Sequence, residues 1–172
     1  MSNQIFNRAI LGLMAIAILP AAAWAASAYQ QTFDAKHGGS ACYFRTYDKA
    51  FRKKHPNVKL TAISLGRRAT TSNGAASSAK KFGLAFSATT AAESYSSIAD
   101  CKPAGAGFTC SLTADGGTFK IVRTKPNIRI VTRRIQLEGF YKNLDISSAR
   151  GKSDRSFELK GSKGKTCDEV FD

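Results

Sequence analysis

The chain has 172 residues, four cysteines and a formal net charge of +14 at pH 7. That length fits one domain. The charge favours anionic partners without naming one, and the cysteines, with no C-x-x-C spacing and no histidine beside them, argue against a metal site.

Residues 1–25 read as a secretory leader. Met1 to Arg8 carries one positive charge, Ile10 to Leu19 is a continuous apolar run, and Pro20 and a string of alanines follow. Ala23-Trp24-Ala25 sets cleavage before Ala26; Ala26-Ser27-Ala28 offers a second site before Tyr29. The apolar run is short for a permanent span, and no later segment approaches membrane-spanning length. Residues 26–172 are therefore expected to form a single exported β-rich domain, periplasmic or secreted, with no transmembrane segment after cleavage. Arg8 is the only charge in the leader, so the exported part holds 25 basic and 12 acidic residues, a net +13. A domain of about 145 residues buries roughly two thirds of its unfolded surface and can stand alone.

Tyr29 to Ser40 is polar, ends near Gly38-Gly39, and reads as a lead-in loop. From Cys42 to His55, Tyr43, Phe44, Tyr47, Ala50 and Phe51 recur at helical spacing, with Ser40 placed as N-cap and Pro56 as the stop. Asp48 and Arg52 stand four apart, as a helical ion pair requires. This predicts one N-terminal helix, with a strand as the alternative because of the aromatic content. Val58 to Leu65 reads as a strand ended by Arg67-Arg68, and Ala69 to Ala79 as a flexible loop. Phe82, Leu84, Phe86 and Ala88 alternate with small residues, which predicts a half-buried strand; Tyr95 to Cys101 is a weaker one.

Gly107 to Gly139 reads as a β-meander. Phe108, Cys110 and Leu112 share one face, Asp115-Gly116-Gly117 is a hairpin turn, and Phe119 and Ile121 face inward on the return. Lys125-Pro126-Asn127 turns the chain again. The next strand changes phase, because Ile128 and Ile130 are even-numbered while Ile135 and Leu137 are odd-numbered. A bulge near Thr132 to Arg134 would restore one apolar face. Beyond Gly139, Phe140, Tyr141, Leu144 and Ile146 offer core material, Ser147 to Arg155 is a polar loop, and Phe157 and Leu159 mark a final strand. About seven short strands with one helix predict a mainly β fold, an antiparallel meander closing into a small barrel or sandwich.

An even cysteine count in an exported chain implies two disulfides. Four cysteines allow three pairings. Cys101 and Cys110 flank a short Pro/Gly-rich segment and suit a local staple, which leaves Cys42 and Cys167 to tie the two ends together.

No catalytic motif emerges. Gly164-Lys165-Thr166 resembles the end of a phosphate-binding loop, but Leu159 stands where that loop needs glycine. Asp34, His37 and Ser40 can be drawn as a triad, but residues this close in one loop do not converge as separated elements do. His37 and His55 are read as structural or exposed, Asp115 as a turn residue and Asp154 as a solvated charge. No cofactor and no metal is implied. The basic residues carry the functional signal. Lys120, Arg123, Arg129, Arg133 and Arg134, with Lys125, crowd the second and third meander strands, where aligned neighbours would hold phosphates or carboxylates. Lys53, Lys54, Arg67 and Arg68 are placed as an extension of that patch.

Cys42-Tyr43 with Arg45-x-Tyr47-Asp48, His55-Pro56-x-Val58, Cys110 with Asp115-Gly116-Gly117, Ser153-Asp154-Arg155-x-Phe157-x-Leu159 and the terminal Cys167 together resemble a set of small exported bacterial proteins of unknown function. That group is richer in cysteine, and Ala114 stands where another would be expected. The resemblance implies no activity and no site residues. The residues themselves point to a non-enzymatic domain whose cationic surface contacts anionic lipid, lipopolysaccharide or acidic polysaccharide. The alternatives are an envelope protein-interaction or inhibitor module, using the loops Ala69 to Ala79 or Ser147 to Arg155, and a small-ligand-binding β-barrel. Nucleic acid is disfavoured as a partner in vivo.

Overall fold

A computed structural model describes residues 28–146, 156–162 and 165–168, with the side chain of Arg133 excepted. The leader and the Ser147 to Arg155 loop expected from the sequence lie outside the described residues. The strands are β1 (Cys42–Thr46), β2 (Leu60–Arg67), β3 (Phe82–Thr90), β4 (Ser94–Ala104), β5 (Gly107–Leu112), β6 (Gly117–Thr124), β7 (Asn127–Leu137), β8 (Leu144–Asp145) and β9 (Ser156–Gly161). Each of β1 to β7 pairs antiparallel with the next, and β9 enters between β7 and β1, so eight strands close a barrel. Short β8 pairs only along the end of β7. Closure leaves the barrel wall without a free edge.

The period-two alternation read from the sequence fills the interior. Phe82, Leu84, Phe86 and Ala88 of β3 face Cys101, Ala99, Ser97 and Tyr95 of β4. Phe86 meets Phe119 across the barrel with ring centroids 5.3 Å apart, and Phe82 meets Phe108 edge-on at 5.2 Å. An eight-stranded barrel is just wide enough for side chains to fill it. Here Phe33, Phe82, Phe86, Tyr95, Phe108, Phe119 and Phe157 occupy that space, all fully buried.

The phase change in β7 is resolved by a bulge. Thr118 pairs with Arg134 but the next residue, Phe119, pairs with Thr132, so the register passes over Arg133. Ile130 and Ile135 consequently both point inward and are fully buried. The Thr132 hydroxyl lies 3.0 Å from both the Thr118 and the Arg134 carbonyls and shares its one proton between them.

Both disulfides form as the spacing suggested. Cys101 and Cys110 are directly opposite on β4 and β5, inside the barrel. Cys42 of β1 joins Cys167, 125 residues later.

Three local expectations are corrected. Tyr29 to Ser40 is not a solvated lead-in. Residues 28–33 form a short helix, α1, that plugs one end of the barrel. Tyr29 and Phe33 are buried against Phe82, and Phe33 also packs on Tyr43 and Phe108. Two aromatic rings four residues apart occupy one helical face, and that face has an open barrel end to fill. The run from Cys42 to His55 is not one helix. Its first half is β1, paired with β2 and β9, and only Lys49–Lys54 is helical, here α2. Asp48, not Ser40, is the cap: its carboxylate accepts the Phe51 N–H at 2.6 Å. Arg52, rather than pairing with Asp48, donates through Nε to the Tyr47 carbonyl. Finally, Phe140 and Tyr141 are not core material but almost fully exposed, whereas Ile146 is buried as expected.

The loop from Ala69 to Ala79 is folded down rather than slack. Thr70 bridges Ala76, and Asp100 of β4 accepts the Ser72 backbone N–H at 2.7 Å and its hydroxyl at 2.8 Å, with the Lys81 ammonium 3.5 Å away. Burial alone would raise the Asp100 pKa. The bonds from Ser72 and the charge of Lys81 outweigh it and hold the carboxyl below its ordinary value of 3.8. A depressed folded pKa stabilises the fold above the unfolded pKa, and that contribution is lost as pH falls through the folded value. Asp100→Asn should therefore lower the urea midpoint at neutral pH. The gap from wild type should close below about pH 4. A gap independent of pH would mean that the carboxylate charge does not hold the loop.

Candidate anion-binding surface

The outer wall of the barrel is set by the same alternation that fills its interior. Because Phe119, Ile121, Ile128 and Ile130 point inward, Lys120 and Val122 of β6 and Arg129 and Val131 of β7 point out. Lys120 lies opposite Val131, and Val122 opposite Arg129. Two cations and two valines thus form a checkerboard across two strands. Val122 and Val131 are 44% and 38% exposed, among the few exposed large hydrophobic residues described.

Lys120 and Arg134 line one open groove on this wall, together with Thr109, Thr118, Val131 and Thr132. The bulge is what brings Arg134 to the outer face opposite Thr118. Arg134 is already partnered: it donates to the Gln136 side chain at 3.2 Å and lies 3.9 Å from the Asp145 carboxylate. Arg129 faces Glu158 of β9 on its other side, and Glu158 accepts from the Asn127 amide. Lys160, also exposed on β9, adds a further cation.

The five basic residues singled out from the sequence do not form a single row. Lys120, Arg129 and Arg134 share the outer wall. Arg123 continues the inward parity of Phe119 and Ile121 to the rim, where it donates to the Gln31 side chain of α1 at 2.7 Å. There it lines a separate depression with His37, Tyr43, Lys125 and Asn127. Arg133 is the bulged residue, and its side chain lies outside the described atoms. Nor do the four outlying cations extend the wall. Lys53 and Lys54 end α2 at one end of the barrel, while Arg67 sits over the Tyr29 ring at the other, with Arg68 next to it.

The opposite wall is different in kind. On β2, β3 and the start of β4 the outward positions include Ala62, Ser64, Ala85, Ser87, Thr89 and Ser96, all small and uncharged, while farther along β4 the outward Asp100 meets Lys81 and Lys102 is exposed. Cys167 of the tail lies against this wall, 3.1 Å from where a Gly66 side chain would begin. The period-two pattern gave the outward positions, but only strand order placed the charged and neutral sets on opposite sides.

His37 and Asp34 do meet, Nδ1 to Oδ2 at 3.0 Å. The Lys36 backbone N–H and His37 hold the Asp34 carboxyl below its ordinary pKa. Ser40 is buried beside Gly161. His55 stacks on Phe51, and Asp115 occupies a left-handed turn position, φ 56°. Gly164 and Asp154 lie outside the described residues. Among the described residues no cluster of three metal-ligating side chains occurs, and no helix is long and apolar enough to cross a membrane.

Compared with family models, with curated proteins and with solved structures, the chain matches none.

Proposed function

We propose that this protein is a non-enzymatic exported domain whose β6–β7 wall contacts anionic envelope material: anionic lipid, lipopolysaccharide or acidic polysaccharide. The checkerboard of Lys120, Arg129, Val122 and Val131 carries this reading. A cation beside an exposed apolar side chain suits an amphiphilic anion, in which phosphate and hydrocarbon are also adjacent. The uncharged outer face of β2 and β3 adds support, since a basic surface kept only for solubility needs no such one-sidedness. The filled interior favours a surface site over a ligand held inside the barrel. Two disulfides with no free cysteine among the described residues fit an oxidising compartment, periplasmic or extracellular.

The test is binding to phosphatidylglycerol-rich vesicles and to a sulfated-dextran column over a salt series. A cation near an anionic surface is worth about 1 kcal/mol, so Lys120→Glu with Arg129→Glu should weaken both at least about tenfold. Wild-type binding should also fall as salt rises. Binding indifferent to salt and to the double reversal would defeat the electrostatic reading. Capture of one stoichiometric envelope protein surviving high salt would favour the interaction-module alternative.

A further inference from the structure

Phe140 and Tyr141 are 87% and 85% exposed, in a protein that buries nearly all its other described aromatic rings. The two rings pack on each other edge-on, centroids 4.9 Å apart. Their exposure is imposed by the loop stem. Just before it, the Glu138 carbonyl accepts the Ser96 N–H at 2.9 Å. The Tyr141 N–H donates to the Glu93 carboxylate at 3.0 Å. A side chain at Gly139 would begin 2.6 Å from Glu93, from Tyr95 and from the Lys142 carbonyl, so only glycine lets the chain pass this close. Beyond the tip, β8 returns along β7 and Ile146 is buried. The fold therefore pins both sides of the loop and leaves its two aromatic rings in water.

Charged side chains of both signs surround the tip. Lys142 follows in the chain. Because β1 and β7 run the same way along the barrel, α2, which follows β1, stands at the end that bears this tip. It carries Lys49, Arg52, Lys53 and Lys54. Several acids at this end are engaged: Asp48 caps α2, Glu93 holds Tyr141, and Asp145 faces Arg134. Asp115 and Glu138 are exposed there as well.

We propose that Phe140 and Tyr141 insert into the headgroup and upper acyl region of an anionic bilayer. This rests on the anionic-envelope reading above and commits it to lipid. Two aromatic side chains bury roughly 150–250 Å² each, well short of the ~1,000 Å² that a specific protein interface needs. A bilayer sets no such minimum. Rings that are apolar on their faces settle at the headgroup level, and flanking cations add attraction to anionic lipid.

The sequence contains a single tryptophan, Trp24. In a Trp24→Phe background, Phe140→Trp makes the tip its own reporter. Its emission should shift to the blue with phosphatidylglycerol-rich vesicles, should be quenched by lipids brominated high on the acyl chain, and should not respond to phosphatidylcholine alone. Phe140→Ser with Tyr141→Ser should weaken vesicle binding at least about tenfold, since interfacial binding scales with buried apolar area. It should leave sulfated-dextran retention and the urea midpoint unchanged. If the double variant binds vesicles as tightly as wild type, or the indole emission of the Phe140→Trp reporter stays that of water on bound protein, insertion is wrong while the cationic-wall reading stands. Wild-type retention on sulfated dextran without vesicle binding has the same meaning. Binding to neither overturns both.

Discussion

Replacing Cys42 and Cys167 by alanine is expected to lower the free energy of unfolding by about 4–5 kcal/mol, the loop-closure value for a link of this span. The bond joins residues 125 apart and so constrains most of the unfolded chain. It also holds the strand that completes the barrel. β9 is the last of the described strands, yet it must lie between β1 and β7 for the wall to close. Its register on β1 is short, Tyr43 with Gly161 and Phe44 with Lys160. Just beyond it, the Ser162 N–H donates to the Cys42 carbonyl, and the tail then bonds back to the same residue through Cys167. Removing Cys101–Cys110, only nine residues apart, should cost about 2.7 kcal/mol on the same scale. Urea unfolding of the oxidised wild type and both double variants measures the order. If the short link mattered as much as the long one, strain or packing, not chain entropy, would govern both.

Phe33→Ala is expected to cost about 3–5 kcal/mol, the usual range for emptying a buried aromatic site. Phe33 is fully buried and meets four rings, at 5.3 Å from Phe82, 5.6 Å from Phe108, and 5.9 Å from Tyr29 and Tyr43. The strands cannot collapse into the space it leaves, because closure fixes the barrel diameter. Phe140→Ala is the contrasting control. Its ring touches only Tyr141 among the described aromatic contacts, and the change should stay within about 0.5 kcal/mol. Thermal and urea unfolding of the two variants separate the cases. A Phe33→Ala protein as stable as wild type would mean that α1 is docked but contributes nothing.

The parts of the candidate site that were legible in the sequence are those that follow from local pattern. Alternation fixed which residues of β6 and β7 point outward, and the phase change from Ile130 to Ile135 exposed the bulge at Arg133. What could not be read was which way the pattern's ends turn. Arg123 looked like a fourth member of the row, but the inward parity of β6 carries it to the rim and against Gln31. Phe140 and Tyr141 looked like core because they are large and aromatic. Their exposure depends on Glu93, 48 residues earlier, holding the loop from outside. In the same way, the period-four pattern of Tyr29 and Phe33 was diluted by polar neighbours, and only the open end of a barrel gives that face something to cover.

Residue order alone was enough for most of the strands, their inward faces, the turns at Asp115-Gly116-Gly117 and Lys125-Pro126-Asn127, and a disulfide pairing that the structure bears out. These depend on the period of the chain and on residues close together in it, so local stereochemistry suffices. Three features came only with the assembled barrel: closure of the meander through β9, the seal that α1 makes at one end, and the separation of charged and neutral walls onto opposite sides. Those depend on which distant strands become neighbours, and strand order is chosen by the burial of the whole apolar set rather than by any one stretch of it.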